Sequence, residues 1–152
     1  NLVDVSGFYP GKEQEQGGII RHGAKMLFAY SEAEVLKITV ILRKAYGGSY
    51  LAMCSKELGA DVVYARPRAE IAVMSAEAAV DVLFKNAGES RREQYLKEYG
   101  QQFLNPFEAA HMGYVDEVID PHLTRENIIR ILDLYPAKKA AKKKTAHGNI
   151  PL

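Results

Sequence analysis

The sequence is poor in the features that most often announce a chemistry. It holds a single cysteine, Cys54, so no internal disulfide can staple the fold, and this cysteine usage fits a reducing, cytoplasmic setting. No charge-free run approaches the ~20 residues needed to cross a bilayer, which argues against direct membrane insertion. Excess charge of one sign is missing as well. Twenty Lys and Arg face 19 Asp and Glu for a net charge of +1, so bulk charge gives no reason to expect nucleic acid as a partner. Five lysines (Lys138, Lys139, Lys142, Lys143 and Lys144) crowd one short tail, and the rest of the chain is therefore acidic. The tail lacks the aromatic interleaving of a single-strand binder and reads as a solvated segment. Phosphate-loop, dinucleotide-binding, HExxH, CxxC and GxSxG patterns are all absent. His22, His111, His122 and His147 lie too far apart in sequence to form a metal-ligand pattern, and no metal is expected.

What is present is one ordinary domain's worth of chain: 152 residues, 47% hydrophobic and 26% charged. It opens Asn1-Leu2-Val3-Asp4-Val5, without a methionine and as if already inside a strand. That beginning predicts a fragment of a longer protein, cut on its N-terminal side.

Strand and helix signals alternate, which gives the class α/β. Strands are expected at Leu2 to Val5, Lys37 to Leu42, Asp61 to Ala65, Ala69 to Val73 and Tyr114 to Ile119. Lys12 to Gln16 reads as polar loop. Helices are expected from Gly17-Gly18 to about Glu34, in a short stretch after Tyr50 through Leu58, over Ala76 to Asn86, over Ser90 to Phe103, over Pro106 to Met112, and over Thr124 to Leu134 with Thr124 as N-cap. The organisation is one domain over residues 1–135 and a Lys-rich C-terminal tail over 136–152.

One junction carries a chemical signal. Val40-Ile41-Leu42 leads through Tyr46-Gly47-Gly48-Ser49 into a helix. Glycine lets the backbone turn sharply and lets a ligand approach closely. The first N–H groups of a helix have no internal acceptor and carry the positive end of its dipole. Spacing alone leaves two readings open: a tight turn with close helix–strand packing, or an oxyanion site. Ser6-Gly7-Phe8 after the first strand carries the same ambiguity. Cys54 has no base near it in sequence and reads as a small core residue.

Several blocks resemble one family. Val3-Asp4-Val5-Ser6-Gly7-Phe8-Tyr9-Pro10-Gly11, Gly18-Ile19-Ile20-Arg21-His22-Gly23-Ala24-Lys25, Arg43-Lys44-Ala45-Tyr46-Gly47-Gly48-Ser49-Tyr50, Ala69-Glu70-Ile71-Ala72-Val73-Met74 and Gly113-Tyr114-Val115-Asp116-Glu117-Val118-Ile119 are similar to the carboxyltransferase subunits of biotin-dependent acyl-CoA carboxylases and decarboxylases. The resemblance covers nearly the whole chain and matches the second of the family's two crotonase-like domains. It implies a crotonase-like (ClpP/crotonase) α/β fold, a single domain with repeated β-β-α units.

The resemblance also implies a reaction with few catalytic side chains. A carboxyl group moves between carboxybiotin and a short-chain acyl-CoA, with propionyl-CoA and methylmalonyl-CoA favoured. Carboxybiotin releases CO2, backbone amides hold the charge left on the ureido oxygen, and the biotin nitrogen takes the α-proton of the acyl thioester. On this chain the donors implied are the amides of Gly48 and Ser49, with Gly47 permitting the turn. Tyr46, Tyr50, Gly7 and Phe8 would shape the biotin pocket, and Leu51 the acyl pocket. The implied partners are a biotin carboxyl carrier protein and the N-terminal, CoA-binding domain of a neighbouring subunit, in a homo-oligomer that is a dimer or a hexamer. Two alternatives stand beside this reading: an isolated fragment serving chiefly for assembly, and the carboxyltransferase half of a sodium-pumping glutaconyl- or methylmalonyl-CoA decarboxylase. Two departures are visible. Ser75-Ala76-Glu77-Ala78-Ala79 replaces a stretch where the family usually shows glycines, and His111-Met112 replaces a Glu/Arg pair.

Overall fold

The computed structural model of the protein describes residues 1–85 and 88–135. The expected tail over residues 136–152, with His147 and the five lysines, lies outside the described residues.

Five strands form one sheet in which every pairing is parallel. β1 (Leu2–Val5) lies along one edge of β2 (Ile38–Tyr46). The other edge of β2 pairs first with β3 (Val62–Ala65) and then, further along, with β4 (Glu70–Ala72). β5 (Glu117–Val118) closes the sheet beside β3. Parallel pairing needs a crossover between strands, and the helices supply it. The connecting helices are α1 (Lys12–Gln16), α2 (Ile19–Glu32), α3 (Gly47–Ala52), α4 (Ala76–Leu83), α5 (Glu89–Phe103) and α6 (Pro106–His111), and α7 (Thr124–Leu134) follows the last strand. The run β3–β4–α4 is one β-β-α unit.

β2 is the spine, and its sequence says why. Residues of opposite parity both find cover, as expected of a parallel strand buried on both faces. Ile41 and Ala45 join Val3, Val63 and Cys54 on one side, while Val40 joins Tyr64, Ile119 and Ile131 on the other. The strand runs four residues beyond the predicted end at Leu42. Arg43 and Lys44 dilute its apolar signal, yet both are accommodated by neighbouring strands. Arg43 pairs with Asp4 at 3.1 Å, and Lys44 sits in register with Glu70.

Other departures from expectation have local causes. Lys12–Gln16 is a short helix instead of a loop; none of its residues is buried, so it carries no apolar stripe to reveal it. The helix predicted through Leu58 stops at Ala52, because Cys54 adopts φ +66°. The Cys54 carbonyl accepts a 2.7 Å hydrogen bond from the buried Thr39 hydroxyl on β2. The strand predicted over Tyr114 to Ile119 narrows to Glu117–Val118. Val115 and Ile119 are buried, but the Asp116 carboxylate, not a backbone carbonyl, takes the Val63 N–H at 2.7 Å. Thr124 is not the N-cap of α7. A 3-10 turn over Pro121–Leu123 runs straight into that helix, Leu123 holds the cap position, and the Thr124 hydroxyl donates back to the Pro121 carbonyl.

Candidate functional site

In an all-parallel sheet the loops that follow the strands gather at one end, the usual place for ligands in open α/β sheets. Val5 is in register with Ala45, so β1 and β2 finish side by side. Ser6-Gly7-Phe8 and Tyr46-Gly47-Gly48-Ser49, about 40 residues apart in sequence, therefore meet. They line a cleft of about 640 Å³, whose far wall is Val73, Met74, Ser75 and Glu77.

The turn at its floor is tightly determined. Tyr46 is the last strand residue and caps α3 with extended backbone angles. Gly47 turns at φ +57°, and a Cβ on it would stand 2.9 Å from the Val73 carbonyl oxygen, so only glycine fits. The Tyr46 hydroxyl donates to Glu70 on β4, which fastens the turn to that strand a second time. The Ser49 hydroxyl donates to the Tyr46 carbonyl at 2.8 Å.

The helical ladder of α3 begins with the N–H of Tyr50, four residues after Tyr46. No side-chain cap covers the start of the helix, and no backbone pairing among the described residues outside the regular ladders uses the N–H of Gly48 or Ser49. Two adjacent main-chain donors thus stand at a helix start on the cleft wall, where the dipole favours negative charge.

Side chains at the cleft are poorly suited to proton transfer. Burial, then the Glu70 carboxylate, pushes the Tyr46 phenol far above its ordinary value, so it keeps its proton at neutral pH. Glu77 at the rim is held below the usual carboxylate range by its own backbone N–H and the Ser75 hydroxyl, and stays charged. Lys44 lies 5.8 Å from the centre of the Tyr46 ring.

A second cleft, of about 500 Å³, opens on the other side of the Gly47-Gly48 turn. It is apolar, lined by Leu51, Ile71, Tyr99, Phe103, Met112 and Tyr114, with Glu57 and Glu108 also on its wall. The structure thus divides the expected site residues. Tyr46, Gly7 and Phe8 share the polar cleft with Ser49, Tyr50 and Leu51 line the apolar one, and Gly47 and Gly48 border both. Tyr50 is buried with its hydroxyl unpaired, and burial raises its pKa. Sequence reasoning did not single out Lys44, two residues before Tyr46 on β2, nor Val73 and Glu77, which reach the turn only because β4 pairs with β2. Ser75, at the departure from the glycine pattern, does not obstruct the turn. It N-caps α4 by accepting from the Ala78 N–H at 3.3 Å.

Two predictions arise here. Ser49→Ala is expected to change turnover by less than about threefold and to cost about 1 kcal/mol of stability, because its hydroxyl serves the Tyr46 carbonyl and the substitution leaves its main-chain amide in place. Kinetics and urea denaturation of the variant check both. Cys54 is fully buried and burial raises its thiol pKa. It should resist Ellman's reagent in the native protein and react once the chain is unfolded. Fast native labelling would contradict the buried placement.

Comparison with known proteins adds an independent finding. The carboxyl transferase domain model matches residues 1–150. The methylmalonyl-CoA carboxyltransferase 12S subunit of Propionibacterium freudenreichii subsp. shermanii is 56% identical over 99% of this chain. The methylmalonyl-CoA decarboxylase α subunit of Veillonella parvula is 55% identical over the whole chain, and the human mitochondrial propionyl-CoA carboxylase β chain 53% identical over 99% of it. The chain spans about 30% of the length of these relatives. A crystal structure of transcarboxylase 12S with methylmalonyl-CoA and methylmalonic acid bound superposes with a TM-score of 0.91 at 58% identity, covering 99% of this chain and 30% of the other. The β subunit of Pseudomonas aeruginosa geranyl-CoA carboxylase, at 25% identity, still gives 0.73 over 88% of this chain and 27% of its own. The expected crotonase-like fold is borne out.

Proposed function

The chain belongs to the carboxyl transferase domain family, and from that premise we propose that it forms the biotin-side half of an acyl-CoA carboxyltransferase. The observation that carries the proposal is the pair of unengaged amides at Gly48 and Ser49, opening on a cleft walled by Gly7 and Phe8. The fit to biotin rests on the same geometry. A neutral ureido group whose oxygen becomes negative needs close donors and no bulky side chain. Gly48 leaves that side of the turn open: a Cβ there would find only the edge of the Phe8 ring within 4 Å.

When bound, carboxybiotin on a carrier protein supplies the carboxyl group and the nitrogen base. The chain's own part is electrostatic. The Gly48 and Ser49 N–H groups donate to the ureido oxygen, and one such preorganised donor is worth roughly 3 kcal/mol in the transition state. Gly47 holds both donors in place, Tyr46 forms a wall, and Tyr46 and Tyr50 take no part as bases because both keep their protons. Leu51 presents an apolar surface on the other side of the turn, suited to a short acyl chain such as propionyl.

Relatives named for transcarboxylation, decarboxylation and carboxylation match at 51 to 56% identity, so the proposal is the half-reaction they would share, not its direction. The same reading places a CoA-binding domain of a neighbouring subunit across the cleft, in a cytoplasmic homo-oligomer. The transcarboxylase 12S structure is described as a hexamer. Among the described residues no helix is long and apolar enough to cross a membrane. The test is transfer by the complete protein from methylmalonyl-CoA to free biotin, read as biotin-dependent release of propionyl-CoA. No biotin-dependent release would overturn the proposal.

A further inference from the structure

Gly23 is out of place by helix propensity. It is the fifth residue of the 14-residue α2, an interior position where glycine is among the poorest choices, yet it is the buried residue of that helix. Its surroundings explain the choice. A Cβ on Gly23 would stand 2.8 Å from Cζ and 2.9 Å from Cε1 of Phe8, closer than real contacts allow. The Phe8 ring therefore rests in a recess that exists because residue 23 has no side chain. Its other edge faces Gly48, where a Cβ would lie 3.8 Å from Cε2. The ring reaches from α2 to the amide turn and borders both the polar cleft and a further cavity of about 310 Å³. The segment that carries it, Ser6 to Gly11, has no regular structure, so the depth of the ring is set by the recess rather than by its own backbone ladder.

We propose that Gly23 is a positioning residue for biotin. By leaving room for the Phe8 ring, it fixes how far that ring stands over Gly48, and hence the width of the passage to the Gly48 and Ser49 amides. The inference rests on the biotin-side reading but concerns a residue that does not touch the ligand. A single methyl at residue 23 must displace the ring, whose Cζ and Cε1 it would overlap, and the ring can give way because it borders open cleft and cavity on its other sides.

The experiment compares the complete protein with Gly23→Ala, Phe8→Leu and the double variant. Leucine lacks the Cζ and Cε1 atoms that collide. Gly23→Ala is expected to raise the KM for free biotin about tenfold, the effect of modest overpacking, with the KM for methylmalonyl-CoA within about twofold. In the Phe8→Leu background the same change should leave the biotin KM where Phe8→Leu alone puts it. The unfolding temperature gives a readout independent of activity. Gly23→Ala should lower it when Phe8 is present. It should raise it by about 1–3 °C in the Phe8→Leu background, where the usual helix preference for alanine is free to act. Equal upward shifts in both backgrounds would show an empty recess and overturn the proposal. Opposite shifts with an unchanged biotin KM would also overturn it, since the ring would then be seated without governing access. Failure of the biotin-side reading itself looks different: no biotin-dependent transfer in the parent protein, with the opposite shifts intact.

Discussion

Gly48→Ala is expected to lower biotin-dependent transfer by roughly 10²–10³-fold, as if one oxyanion donor were put out of the ligand's reach by the added methyl, while leaving the fold as stable as before or slightly more so. The two effects separate because of where the position lies. Gly48 is the second residue of α3 and is not in the left-handed region, so alanine is conformationally welcome there. A Cβ would meet only Phe8 Cε2, at an ordinary 3.8 Å. Alanine in place of a helical glycine contributes ~0.5–1 kcal/mol in its own right. In the proposed site the methyl would nonetheless stand beside the amides that a ligand oxygen must reach, and a valine there would obstruct more. Urea denaturation and kcat/KM for free biotin measure the two effects on one preparation. A variant with unimpaired transfer would remove Gly48 from the site and return the turn to a purely structural role.

One residue earlier the same substitution should have the opposite signature. Gly47→Ala is expected to destabilise the protein by about 2–4 kcal/mol, the sum of a left-handed backbone penalty and a steric collision. Gly47 sits at φ +57°, and its Cβ would be 2.9 Å from the Val73 carbonyl oxygen. That oxygen cannot swing away. It follows directly on β4, which is pinned by the Tyr46–Ala72 register and by the Tyr46–Glu70 hydrogen bond. The turn must shift instead and carry both amides with it, so transfer falls together with stability. The midpoint of urea unfolding should drop with an unchanged slope, the mark of a weakened native state. An alanine variant with parental midpoint and turnover would mean that the turn is not clamped as described.

Legibility in the sequence followed signal strength. The strand over Leu2–Val5, the helix over Ile19–Glu32 and the helix over Thr124–Leu134 are readable because apolar residues recur at the spacing each element requires. The helix over Lys12–Gln16 is invisible because it buries nothing. The last four residues of β2 are hidden by two charged residues, Arg43, which pairs with Asp4 on β1, and Lys44, which lies in register with Glu70 on β4. The chemistry was legible only as a junction with two meanings. Unpaired amides have no side chain to mark them, so spacing could not separate an oxyanion site from a tight turn.

Sequence alone determined the α/β class, the glycine pair after the central strand, and the chain's likeness to a carboxyl transferase domain. These are local matters: periodicity, turn-forming residues, and motifs within a few residues of one another. Tertiary structure alone decided that Ser6-Gly7-Phe8 and Gly47-Gly48-Ser49 face each other, that Tyr46 and Tyr50 end on opposite sides of the turn, and that Gly23 makes room for Phe8. Each of these follows from strand register and close packing between segments distant in sequence, or from which side of a turn a chain emerges. A one-residue slip between β1 and β2 would move Phe8 off the amides without changing any local preference along the chain.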